Sequence, residues 1–254
     1  MDEAVADSGQ AQSRWIKWGG NFVLGGATLA IVIALAGLTL ARYDMVDKIQ
    51  GFFAFVMMLN PARVLAAVGV VVLVVAYARK TGPKRNAAIG TVLAGALLAV
   101  IYTQVIIPGG KVPPIHDITT NLDNPPQFAT LDVDTPVSTG PFSQEEWRAF
   151  HEGAYGNIQP IIVNKSTVEV LADARALMED RGWDVAASDP EAGQLEGTAY
   201  AGYLKFRDDV LVKATPIEDG STRVDMRSVS QVGVSDLGYN AARIEAFLAD
   251  LQAR

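Results

Sequence analysis

The sequence predicts a membrane-embedded α-helical region over residues 1–107, followed by an α+β soluble domain over residues 108–254. The domain is expected to hold a four-stranded antiparallel sheet with two helices on one face and a Pro-rich segment wrapped around it. Three observations lead there. Uncharged apolar runs crowd the first 107 residues, the net charge changes sign at that point, and beyond Asn164 helical and alternating patterns follow one another in the order α-β-β-β-β-α.

Phe22 to Ala41 is a run of twenty residues without a charge, and ~1.5 Å of rise per residue carries it across a hydrocarbon core of ~30 Å. Arg14 and Lys17 precede it as they would in a cleavable signal peptide. Twenty residues exceed the ~7–15 of a signal core, however, so the run is expected to remain as an anchor. Trp15 and Trp18 stand where an interfacial belt places aromatic rings. A second span is expected over Ala62 to Ala78 and a third over Ala87 to Ile107, ended by Pro108-Gly109-Gly110. Met45 to Leu59 lies between the first two. Its apolar stretch is too short to cross, so it reads as an interfacial or re-entrant helix, or as the first part of one bent element continued through Asn60-Pro61.

Small residues four apart, Gly26, Ala30 and Ala34 in the first span and Thr91, Gly95 and Ala99 in the third, are expected to let the three helices pack on one another. No Asp, Glu, Lys or His stands inside a span, which argues against an ion or proton pathway. Arg79, Lys80, Lys84 and Arg85 mark the loop between the second and third spans as cytoplasmic. The N-terminus then lies inside, and three crossings deliver the domain to the opposite face, the periplasm of a bacterial inner membrane.

The two halves differ in charge as they differ in surroundings. Five acids against nine bases leave residues 1–107 at +4, and 23 acids against 12 bases leave residues 108–254 at −11. An acidic domain without a basic cluster excludes nucleic acid as a partner. The chain has no cysteine, which removes disulfides, thiolate metal sites and thiol nucleophiles together.

Eight of the twelve prolines fall between Pro108 and Pro160, so this stretch is expected to be extended loop. Ser143-Gln-Glu-Glu146 ahead of Trp147 and Phe150 is a capping box and starts one short helix within it. A second capping box, Ser166-Thr-Val-Glu169, opens a helix over 166–181 that Arg181-Gly182 ends. Strands are expected at Trp183–Ala187, Gln194–Phe206, Val210–Thr215 and Thr222–Ser230, with turns at Asp208-Asp209 and Glu218-Asp219-Gly220. The last helix begins near Tyr239, where Ala241, Ile244, Phe247, Leu248 and Leu251 form one apolar face. Alternation along the last strand sets Arg223, Asp225 and Arg227 on one side and Val224 and Met226 on the other, the polar set lining the face without helices.

Several segments occur together in one order: Val112-Pro-Pro-Ile-His-Asp-Ile-Thr-Thr120, Asn124-Pro-Pro-Gln-Phe128, Arg223-Val-Asp-Met-Arg-Ser-Val-Ser230 and Gly233-Val-Ser-Asp-Leu-Gly-Tyr-Asn-Ala-Ala-Arg-Ile244. They resemble the family of domains of unknown function numbered 1499, over most of residues 108–254. Membrane helices ahead of such a domain are similar to an arrangement in bacterial members, and the resemblance implies no activity.

Chemistry-bearing groups are scattered. His116-Asp117 suggests a base or a metal ligand, yet neighbours in an extended chain point opposite ways, and only His151 could join the pair. Ser228, Ser230 and Ser235 lack a nucleophile elbow, and no glycine-rich phosphate loop is present. Ser235-Asp236 is expected to cap the last helix. Asn240 and Arg243 near the apolar face need partners. One arrangement is a buried polar network joining Asp225 or Asp236 to Arg243, and Arg227 to a loop residue such as Asp117. The other is an anion or lipid-headgroup site built from Arg223, Arg227 and Arg243. No catalytic residue, metal or cofactor is assigned. The sequence favours an exported binding or interaction domain, with membrane lipids and other membrane-protein subunits as expected partners in an accessory role. A lipid-binding module or an envelope lipid or glycan enzyme is the alternative.

Overall fold

The computed structural model describes residues 2–254, with side chains from Ser13 onward. The chain divides into two compact units, Met1–Ile107 and Pro108–Arg254.

The first unit is helical: α1 Asp2–Arg42, α2 Lys48–Val56, α3 Leu59–Ala78 and α4 Arg85–Ile101, the last continuing through a π turn, Tyr102–Ile106, into the three-residue α5 Ile107–Gly109. Three stretches are long and apolar enough to cross a membrane, Ser13–Arg42, Lys48–Ala78 and Arg85–Gly109. The second is longer than the expected Ala62–Ala78 because the segment expected to be interfacial joins it. Asp47 caps α2 by accepting from Ile49 N and Gln50 N, and α2 then packs on α1 where Gly37 faces Ala54 and Gly51 faces Ala41. The two-residue break at Met57-Met58 has a local cause. Pro61 lacks the N–H that would bond the Met57 carbonyl, and in the first turn of α3 that loss is harmless.

The packing of this unit is inverted relative to a water-soluble bundle. Ala27, Ala30, Ala34, Ala62, Gly69, Ala76, Ala87, Gly90 and Ala94 are buried, while Phe22, Leu29, Leu35, Val64, Val71, Val74 and Val92 face outward. Small residues bring the backbones together: a Cβ on Gly90 would stand 2.6 Å from Leu24 N. In the third span the expected stripe is off by one register. Gly90 and Ala94 face inward, whereas Gly95 has nothing within 4 Å and Ala99 is exposed.

The second unit is an antiparallel sheet with helices. Its strands are β1 Asp117–Thr119, β2 Ile161–Val163, β3 Asp184–Asp189, β4 Gln194–Ala201, β5 Phe206–Pro216 and β6 Thr222–Ser230, in the order β1-β6-β5-β4-β3, with β2 also on β6. The expected four strands are therefore six. Both additions are three residues long, too short for alternation to be legible in sequence. They share the free edge of β6, β1 against 227–229 and β2 against 222–224, and so satisfy its outward N–H and C=O groups. Asp208-Asp209, expected in a turn, lies inside β5. The turn comes earlier, where Gly202 and Lys205 adopt positive φ.

Three helices complete the unit: α6 Gln144–Tyr155, α7 Thr167–Asp180 and α8 Tyr239–Gln252. Ser143 with Glu146 and Ser166 with Glu169 form both capping boxes. Leu195, Ala199, Val210, Val212, Val224 and Met226 meet Leu171, Met178, Ile244 and Phe247 in one core, with Trp183 stacked on Phe247 at 5.4 Å. The opposite sheet face carries Glu196, Arg223, Asp225 and Arg227, and backbone of residues 126–134 closes over Glu196 and Arg227.

Candidate functional site

On the polar face of β6, Arg227 points into the Pro-rich segment. Its Nε and Nη2 donate to the two oxygens of Asp117 at 3.0 and 2.7 Å, a bidentate pair in which both side chains are fully buried. Nη1 donates to Pro126 O at 3.2 Å and Nη2 also to Asp134 O at 2.9 Å, while Phe128 lies 5.4 Å below the guanidinium. Ser138 N–H completes Asp117 at 2.6 Å. Burial pushes the Asp117 carboxyl upward, against the pull of Arg227 and of that N–H. Nearby, the Glu196 carboxylate accepts from the N–H groups of Ala129, Thr130 and Leu131. Each buried charge thus ends on loop backbone, which anchors a segment with little apolar surface of its own.

A second network lies across the sheet, beside α8. Arg243 pairs with Asp208 at 2.5 Å and donates to Ser228 Oγ and Asn240 Oδ1. Asn240 Nδ2 donates to His116 O at 2.8 Å and Ser230 Oγ at 3.0 Å. Asp236 accepts from Gly238 N and Asn240 N at 2.9 and 2.6 Å, capping α8 from two residues before its N-cap, Gly238. Burial raises the carboxyls of Asp208 and Asp236. The partner of Arg243 is thus Asp208, not Asp225 or Asp236. Asp225 instead accepts from Arg223 at 2.9 and 3.0 Å and from Thr120 at 3.3 Å. Arg223 and Arg227 share one sheet face and Arg243 packs on the other, so the three arginines do not form one anion site.

His116 and Asp117, expected to point opposite ways, both reach Ser138, the carboxylate at its N–H and the ring at its hydroxyl. His116 Nε2 meets Ser138 Oγ at 3.1 Å, and that hydroxyl donates to Asp134 Oδ2 at 3.0 Å. The order differs from a nucleophilic triad. Asp134 meets the hydroxyl and not the imidazole, whose Nδ1 instead faces the Val234 carbonyl at 3.3 Å.

Two of the buried groups left without partners among the described residues lie on α6, the others being Gln127 Oε1 and Thr81 Oγ1. Trp147, His151 and Tyr155 recur four apart on its buried face, and Trp147 Nε1 donates to Asp117 O at 3.1 Å. Thr119 N–H donates to His151 Nε2 at 3.1 Å, so the neutral ring carries its proton on Nδ1. Among the described residues that Nδ1–H and the Tyr155 hydroxyl are buried without a hydrogen-bond partner. Burial pushes the His151 imidazole down to about 4 and the Tyr155 phenol up to about 12, keeping both neutral. Both residues line a cavity of about 280 Å³ with Thr120, Asn121, Arg148 and Arg223 at its walls. Sequence reasoning considered His151 only beside His116. The usable signal was two polar rings at helical spacing behind a capping box and a tryptophan. Among the described residues no group of three His, Cys, Asp or Glu is placed to hold a metal ion.

The model of the family described as "Protein of unknown function (DUF1499)" matches residues 117–251. The chain belongs to this family. The DUF1499 match starts at Asp117, the partner of Arg227, and ends at Leu251, the last buried apolar residue of α8. It therefore takes in the whole sheet, the segment over its polar face and all three helices of the second unit. No curated protein matches the chain.

Proposed function

We propose that this chain is a bacterial envelope protein, held in the inner membrane by three helices with its N-terminus in the cytoplasm, whose DUF1499 domain recognises a ligand in the periplasm. The observation that carries the binding role is the α6 cavity. The buried charges of Asp117, Arg227, Asp208 and Arg243 are consumed in pairs, whereas His151 and Tyr155 carry donors that nothing in the described chain accepts. The inverted packing of the first unit supports the anchor, because large outward side chains suit lipid and not water. The basic loop between α3 and α4 supports the orientation.

The decisive measurement is native mass spectrometry of the full chain extracted in mild detergent. A stoichiometric small molecule that is lost on Tyr155→Phe supports recognition at the cavity, and an empty protein overturns it. The absence of cysteine allows a clean topology test. A single cysteine at Gly82 should resist a membrane-impermeant maleimide in intact spheroplasts and one at Arg254 should react; the reverse would refute the orientation.

One observation favours a second reading, an accessory subunit of a larger membrane assembly. Gly95 and Ala99 present a small-residue surface outward on α4, suited to close approach of another helix. A protein partner that co-purifies with the wild type and is lost on Gly95→Val would support it.

A further inference from the structure

We infer that Arg63 is a pairing point inside the membrane for a carboxylate carried on a membrane helix of a different protein. The inference rests on the second reading above, an accessory subunit, and names the chemistry of its contact. The joining of α2 to α3 is what moves Arg63 inward. At the start of a span from Ala62 it would sit at the interface, but in the span Lys48–Ala78 it stands 15 residues after Lys48 and 16 before Arg79. With ~1.5 Å of rise per residue, roughly 20 Å of helix lies on either side of it. The packing on α1 gives the same depth. Gly26 meets Leu65 and Gly37 meets Ala54, so Arg63 stands level with the uncharged run from Phe22 to Ala41. The other charged residues of the three spans, Arg14, Lys17, Arg42, Lys48 and Arg85, stand near span ends.

The charge of Arg63 is met but not balanced. Its Nη1 donates to Asn60 Oδ1 at 3.2 Å and its Nη2 to the Tyr102 hydroxyl, whose ring centre lies 5.4 Å from the guanidinium carbon. Both acceptors are neutral. Of the five guanidinium donors, the remaining three make no hydrogen bond among the described residues, and the side chain is exposed. In water that exposure would be harmless, whereas a cation facing hydrocarbon is unfavourable and calls for a counter-charge. The chain does not supply one. None of the three spans contains Asp or Glu, and the acids of residues 13–107 are Asp44 and Asp47, both in the loop between α1 and α2.

These facts select the partner. A second copy of the chain brings no acid within its spans and adds a like charge at the same depth. A lipid phosphate lies at the bilayer surface, farther from mid-span than the arginine stem can snorkel. Asp or Glu on a neighbouring membrane helix meets the guanidinium where it stands, in a charge-assisted pair that the dry surroundings strengthen. Room for such a helix lies alongside. Gly95, Ala99 and Tyr102 share one face of α4 through spacings of four and three, with nothing within 4 Å of a Cβ on Gly95 and with Ala99 exposed. A helix seated on these small residues runs up to Tyr102 and the guanidinium it holds.

The test uses the full chain in the membranes of cells that make it, with photoreactive p-benzoylphenylalanine in place of Ala67, an exposed residue one turn from Arg63. Irradiation followed by mass spectrometry of the cross-linked peptides is expected to give a different protein, joined through a membrane span that carries Asp or Glu. Arg63→Gln should reduce that product about tenfold or more. Arg63→Lys, which keeps the charge, should retain most of it, with thermal unfolding in detergent showing that each variant is folded. Arg63→Glu combined with a basic residue at the partner's acid should restore the product, which keeps the test decisive even where a single variant unfolds. Cross-links to lipid alone, to another copy of the chain or to a span without an acid overturn the inference, and so does a product that Arg63→Gln leaves unchanged. If in that case a protein still co-purifies and is lost on Gly95→Val, the accessory role survives and only the charge pairing falls.

Discussion

Arg227 shows how one side chain can hold a loop that has no core of its own. Its guanidinium bonds Asp117 twice and two loop carbonyls, so truncation removes all four contacts and leaves a buried carboxylate unpaired. Arg227→Ala is expected to cost about 3–5 kcal/mol, read by thermal unfolding of the detergent-solubilised chain. Arg227→Met with Asp117→Leu should recover most of that loss, because no charge is then left buried. His151 gives a prediction with a sign. Its folded pKa, about 4, lies below the unfolded value of about 6.5. Above pH 6.5 the ring is neutral in both states. As pH falls through this window only the unfolded chain takes up the proton, and stability is lost by up to about 3 kcal/mol at pH 4. Comparing wild type with His151→Gln across pH 7 to 4 isolates this contribution, which the variant should lack.

Among the elements, the capped helices were legible and the short strands were not. A capping box is written within four residues, and both predicted boxes form. β1 and β2 form because the edge of β6 is free, a condition that becomes visible only after β6 is placed. The joining of α2 to α3 is intermediate. Pro61 announces a break, but the approach of Gly51 to Gly37 and Ala41 decides that α2 packs along α1 instead of standing alone. The small-residue stripe of α4 shows the limit of periodicity, since Gly90 and Gly95 both belong to plausible four-residue series and only packing selects the former. Gly90→Val, whose branches would enter the α1 backbone, is expected to lower the thermal stability of the helical unit by several degrees. Gly95→Val should leave it unchanged, and circular dichroism on both variants in one detergent checks the pair.

At the scale of the molecule, each unit has its own core: the apolar cluster of the sheet domain draws on residues 115–251, and those of the helices on residues 16–101. Residues 108–254 expressed alone are therefore expected to fold as a soluble monomer with its own cooperative transition, observable as dispersed amide resonances. Aggregation or a disordered spectrum would refute that independence. The two-part plan, the apolar spans, the change of charge, the capped helices and the long strands all follow from residues close together in the chain, where length, period and composition act locally. The six-stranded sheet, the substitution of Asp208 for the acids first matched to Arg243, and the cavity under α6 belong to another class, whereas the expected pairing of Arg227 with Asp117 forms across 110 positions. They depend on which distant segments share space, and many sequence-compatible partners exist for each charge. Burial selects among those partners, because a charge taken from water must meet whichever group the completed fold sets beside it.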